Sequence, residues 1–135
     1  MKTSEPKIEI SETEAEAEAN AYAEKVGENT VVEVQAKEAK VIELFQGIRN
    51  LKQYWDYICL IFPLLKDWTS HRYTKIPWSV IASLTGVIVY VLNPFDLIPD
   101  IVPVAGYSDD ATLFGLVIAF AKDYLEEYKN WKKEN

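Results

Sequence analysis

The sequence predicts an all-α fold: a small domain of about four helices, with a close-packed antiparallel helix pair joined by a Pro- and Asp-rich loop. Three observations carry this reading. Apolar residues recur at helical spacing from Val31 to Ile48, 20 residues from Ile76 to Phe95 have no formal charge, and a second apolar stretch after Asp110 turns amphipathic beyond Ala121. The chain has 135 residues, 49% of them hydrophobic, and a single Cys. That is enough for one modest core and excludes an internal disulfide framework.

Residues 1–30 hold eight Glu against three Lys, a charge of -5 out of the total of -7. Glu and Ala alternate from Glu12 to Ala19, but both favour helix and Glu disfavours strand. Ser11 can cap the start, and Gly27 can take the left-handed position after the end. Few large apolar side chains lie between them. Residues 1–30 therefore read as an acidic tail, disordered or a frayed helix, and residues 31–135 as a single α-helical domain.

Val34, Val41, Phe45 and Ile48 follow at spacings of 7, 4 and 3, which predicts an amphipathic helix whose β-prone opening, Thr30 to Val34, is its least helical part. A second helix starts near Leu51. Tyr54, Trp55, Tyr57, Ile58, Leu60, Ile61 and Phe62 are too continuous for one exposed face, and Pro63 is expected to kink or restart the helix. Leu64, Leu65 and Trp68 continue its apolar side. Lys66 to Lys75 reads as a polar loop, with Pro77 the first residue of the next helix.

Pro77 and Pro94 confine the uncharged run to a helix over about residues 78–92, which at about 1.5 Å per residue reaches about 22 Å, short of a hydrocarbon core of about 30 Å. A simple membrane span is not predicted. Ser79, Ser83, Gly86 and Tyr90 form a stripe of mostly small residues. The final helix, Ala111 to about Trp131, offers Ala111, Gly115 and Ala119 as a matching stripe, so the two helices are expected to pack closely and antiparallel. Phe114, Val117, Ala121, Tyr124 and Tyr128 keep one apolar face along that helix, while Lys122, Asp123, Glu126, Glu127 and Lys129 appear only after Ala121.

The connection is stiffened by Pro94, Pro99 and Pro103, includes Gly106 and Tyr107, and sets Asp96, Asp100, Asp109 and Asp110 among apolar neighbours. Carboxylates so placed need partners. Capping of local turns and of the final helix would satisfy them. Convergence on Mg²⁺ or Ca²⁺ is the alternative, without EF-hand spacing.

The run from Tyr90 to Asp110, with Asn93-Pro94-Phe95-Asp96-Leu97-Ile98-Pro99-Asp100, Pro103, Gly106-Tyr107 and Asp109-Asp110, resembles the signature of the YkvA-like family, a widespread group of small bacterial proteins built on a domain of unknown function. The likeness extends more weakly to Leu64-Leu65-Lys66-Asp67, to Pro77-Trp78 and through the final helix. It implies a compact α-helical domain, often described as membrane-associated, and lends no catalytic residues.

No reaction is predicted. His71 is the only His and Cys59 the only Cys, so neither a zinc pattern nor an oriented dyad is present, and the five Gly are scattered rather than gathered in a phosphate loop. No cofactor is expected. Trp55, Trp68, Trp78 and Trp131 read as core or interfacial anchors. A pI near 4.7 disfavours nonspecific attachment to nucleic acid or to anionic lipid, because both depend on dense positive charge. The expected function is a non-enzymatic helical interaction module that binds a protein partner or the membrane surface, with self-association into a homo-oligomer also expected. Two alternatives stand beside it: a divalent-metal-binding or metal-dependent hydrolytic domain, and an inhibitor or immunity-type protein with an acidic face. Lys2 and Lys7 are the only bases in the first 20 residues and no apolar stretch accompanies them, so the expected location is cytoplasmic, at the inner face of the membrane.

Overall fold

The uncharged run folds as the central helix of the molecule. In a computed structural model, which describes residues 12–48, 51–92 and 110–135, six α-helices follow one another: α1 (Glu12–Glu24), α2 (Glu28–Ala36), α3 (Glu38–Gln46), α4 (Trp55–Thr69), α5 (Trp78–Leu92) and α6 (Asp110–Lys133), with one 3₁₀ turn, Lys52–Tyr54, before α4. No strand occurs among the described residues. Helix α5 spans the 78–92 that its two prolines dictate, and ten of its 15 residues are buried. It is apolar on every side because α1, α2, α3 and α6 all pack against it. Among the described residues no helix is long and apolar enough to cross a membrane.

The acidic N-terminal segment differs from expectation. Residues 1–11 lie outside the described residues, but α1 is no solvated helix: it packs on α5 and α6, and Tyr22 and Val26 are buried in the common core. Two alanines one helical turn apart explain how. Ala19 and Ala23 are partly buried against that core, and side chains this small let the helix sit close. At the contact, a Cβ on Gly86 of α5 would lie 3.1 Å from the amide nitrogen of Ala23. Tyr22 also meets Tyr90 edge to face, with ring centroids 5.5 Å apart. Gly27 does not take a left-handed position. Its backbone is extended (φ -116°) and its amide donates to Thr30 Oγ1 at 3.1 Å, so it starts α2 instead of closing α1.

The amphipathic stretch after Val31 is helical but broken at Lys37 into α2 and α3. Val31 and Val34 face inward from α2, and Val41 and Phe45 from α3, so burial overrides the β preference of Thr30 to Val34. Nothing in the residues around Lys37 explains the break. Helix α4 runs unbroken through Pro63. Both Pro63 and Cys59, the residue whose carbonyl loses its donor, are exposed, so water can reach the freed group. The helix also extends to Thr69, four residues into the segment read as loop.

Helices α5 and α6 pack together as the paired apolar stretches require. The two glycines of the stripes, however, make their closest approaches to other elements: Gly86 to α1, and Gly115 to Tyr54 in the 3₁₀ turn, where an added Cβ would lie 2.7 Å from the hydroxyl oxygen. Small residues permit a close approach without naming the partner. None of the four Trp is fully buried; Tyr22, Tyr73 and Tyr128 occupy the core in their place.

Candidate functional site

The loop residues singled out by the sequence, Pro94, Asp96, Pro99, Asp100, Pro103, Gly106, Tyr107 and Asp109, lie outside the described residues, and Asp110 is the first residue of α6. Among the described residues no group of three His, Cys, Asp or Glu side chains is placed to hold a metal ion. The polar organisation that the structure does show centres on the C-terminal end of α4.

Asp67 is a carboxylate in the core, its side chain 3% exposed. It falls three residues after Leu64, on the apolar stripe of α4, so its burial follows from the helical repeat. A buried charge needs partners, and α6 provides them. The Tyr128 hydroxyl donates to Oδ2 at 2.6 Å, and Lys132, one turn further along α6, donates to the same oxygen at 3.1 Å. Arg72 stands 3.6 Å from Oδ1. Burial pushes the Asp67 carboxyl up, but the hydrogen bonds from Tyr128 and Lys132 and the charges of Lys132 and Arg72 outweigh it and hold the group below the usual carboxylate value. Tyr128 is pushed well above the ordinary tyrosine value, first by burial and then by its bond to Asp67. Tyr73 and Trp131 close an aromatic group around Tyr128, with centroids 4.9 to 5.8 Å apart.

The backbone of Asp67 shapes the turn that follows. Its carbonyl accepts from the amides of Arg72 at 2.9 Å and Tyr73 at 3.1 Å, while the His71 amide donates to Trp68 O. This is the Schellman arrangement that ends a helix, and it places His71 in the left-handed region at φ 64°, where glycine is usual. The short chain reversal thus presents Lys66, His71, Arg72 and Lys75, all exposed, at one end of the molecule.

Two depressions flank this turn. One, of about 210 Å³, is lined by Val32, Trp68, Thr69, His71 and Thr74, with Glu28 at its edge. Val32 is 57% exposed; Trp78, 40% exposed, packs its ring against that of Trp68 at 5.6 Å. The other, of about 510 Å³, is lined by Lys66, Asp67, Arg72 and Lys132, with Gln35 and Glu38 opposite. Gln35 Nε2 donates to Thr69 Oγ1 at 3.3 Å and so separates the two. An exposed aromatic was legible only as one of two readings of the four Trp, core or interfacial, and Trp78 alone of them is exposed. The hub at Asp67 was not legible, because Lys66 to Lys75 read as a polar loop; the signal was one acidic residue in register with Leu64.

Comparison with known proteins places these features in a context. A family model described as a protein of unknown function (DUF1232) matches residues 80–116. The uncharacterized membrane protein YkvA of Bacillus subtilis (strain 168) is 32% identical over 84 residues, which cover 62% of this chain and 79% of that protein. No solved structure matches.

Proposed function

The chain belongs to the DUF1232 family of proteins of unknown function, together with YkvA, and from that premise we propose that it is a non-enzymatic module that docks on an anionic membrane surface through the α4–α5 turn. The observation that carries the reading is the rim itself: Trp78 and Val32 stand exposed beside Lys66, His71, Arg72 and Lys75. Aromatic rings of this kind partition to the headgroup level, and each Lys or Arg near an anionic surface contributes about 1 kcal/mol. The relative's description as a membrane protein supports the same reading. Attachment at the surface also fits a fold in which the apolar run of α5 is already enclosed by other helices.

The net charge of -7 argues the other way only if it acts as a whole. At physiological salt the Debye length is about 8 Å, so a membrane senses the nearest groups. At the turn these are cationic, since the Asp67 charge is buried against its own partners and Glu28 is the one carboxylate lining the aromatic depression. Vesicle flotation of the full chain tests the proposal. Recovery with vesicles containing phosphatidylglycerol, loss with pure phosphatidylcholine, and about tenfold weaker binding for Trp78→Ser are expected, the last from about 1.5 kcal/mol of apolar burial. No recovery from anionic vesicles, or recovery that Trp78→Ser leaves unchanged, would overturn it.

A further inference from the structure

The larger depression beside the turn has a different chemistry from the aromatic rim. Its wall combines three cations, Lys66, Arg72 and Lys132, with two carboxylates, Asp67 and Glu38. The two carboxylates are not equivalent. Asp67 is almost wholly buried, and its Oδ2 already accepts from Tyr128 and Lys132, so it acts as an anchor that gathers cations which would otherwise repel one another. Glu38 is exposed on the facing helix α3.

The cations retain most of their hydrogen-bonding capacity. Arg72 is 58% exposed, and its 3.6 Å approach to Asp67 Oδ1 is beyond hydrogen-bond distance, so the planar fork of the guanidinium is not consumed. Lys132 is 45% exposed and uses one of its three donors on Asp67. Lys66 forms no ion pair among the described residues. A fork and two ammonium groups converging on one cleft match a tetrahedral oxyanion carrying up to two charges better than a single carboxylate. A volume of about 510 Å³ leaves room for more than the anion alone.

We propose that this cleft binds a phosphomonoester, its phosphate held by Arg72, Lys66 and Lys132 and its organic part resting against the α4 wall at Phe62 and Pro63. The inference does not rest on membrane docking, although Lys66 and Arg72 stand in both: a soluble phosphate ester and the headgroup of phosphatidic acid share the chemistry. Glu38 limits the affinity by facing the anion.

Calorimetric titration of the full chain with glycerol 3-phosphate, and a parallel titration with phosphatidic acid in phosphatidylcholine vesicles, tests the site. Saturable binding in the first arm identifies a soluble ester. Binding confined to the second, and absent from phosphatidylglycerol vesicles of equal surface charge, identifies a lipid headgroup; equal binding to both kinds of vesicle reports membrane docking alone and overturns the site. In whichever arm binds, Lys66→Gln is expected to weaken binding about fivefold and Glu38→Gln to tighten it about fivefold. Both side chains are exposed, so neither variant should shift the thermal midpoint. The proposal is overturned by silence in both arms, or by binding that neither substitution moves. Failure of Trp78→Ser to alter flotation would remove membrane docking and leave this result standing.

Discussion

Two of the seams between the long helices, α1–α5 and α4–α6, are held by opposite means. Along the α1–α5 seam, backbone approaches backbone: the space over Gly86 is filled by the main chain of Tyr22 and Ala23, and the neighbouring contact is the Tyr22–Tyr90 ring pair. Along the α4–α6 seam a buried carboxylate is satisfied by a hydroxyl and an ammonium from one face of the partner helix. The first seam gains stability from dispersion and apolar burial and specifies shape. The second also specifies register, because only the native register gives Asp67 both the Tyr128 hydroxyl and the Lys132 ammonium. Neighbouring features inherit the difference: the polar seam ends at the exposed turn with its cations, while the apolar seam ends in helix surface.

Breaking the polar seam should cost most. Asp67→Ala leaves the Tyr128 hydroxyl buried without its acceptor and frees Lys132, and we expect a loss of about 3 kcal/mol in urea unfolding. Its two cationic partners are roughly half exposed, which keeps the figure at the lower end for a buried ion pair. The pH dependence separates the charge from the shape of the side chain. Because the folded carboxyl lies below its ordinary value, its contribution is fully present above about pH 4, the unfolded value, and is lost as pH falls through the folded value. The gap between wild type and Asp67→Ala should therefore be constant from neutrality to about pH 5 and shrink below about pH 4. A gap that persists undiminished at pH 2 would mean that packing, not charge, holds this seam.

The apolar seam is attacked through Gly86. Valine there places methyl groups where the backbone of α1 already lies, at 3.1 to 3.3 Å from the position of Cβ alone. Backbone cannot rotate away as a side chain can, so α1 has to move. A loss of about 2 kcal/mol is expected, together with faster amide exchange confined to residues 12–26. Uniform loss of protection throughout the core would show instead that α1 folds and unfolds with the rest, and would remove the contrast between the seams.

How much of this the sequence disclosed depends on what kind of signal each feature leaves. The span of α5 follows from two prolines and an uncharged run, and the apolar face of α6 from Phe114, Val117, Ala121 and Tyr128; periodicity and breakers are local, and they were legible. The burial of α1 was not. Its inward residues are Tyr22 and partly buried alanines, with Val26 just beyond its end, and a helix poor in large apolar side chains looks the same whether it faces water or lies against a glycine more than 60 residues further on. The hub at Asp67 was hidden for a related reason. The residues that satisfy it, Tyr128 and Lys132, are more than 60 positions away, and only the fold makes them neighbours. The exposed Trp78 was one of four Trp read as core or interfacial anchors, and nothing in their spacing told which of them faces outward. The Asp-rich connection, which carried the family resemblance, lies outside the described residues.

The smallest effect is expected at the second glycine, and it sharpens the comparison because the distance there is shorter. A Cβ on Gly115 would stand 2.7 Å from the Tyr54 hydroxyl oxygen, closer than anything at Gly86. Yet the obstacle is the far end of a side chain that is only half buried, and a small rotation of Tyr54 clears it. Against that stands the gain from replacing glycine by alanine within α6, about 0.5 to 1 kcal/mol. Gly115→Ala should thus stabilise the protein by about 0.5 kcal/mol in urea unfolding, with a change in the environment of Tyr54 visible by NMR. Destabilisation by more than about 1 kcal/mol would mean that Tyr54 is held as firmly as the backbone of α1. The nature of the obstructing atom, more than its distance, would then no longer decide the sign.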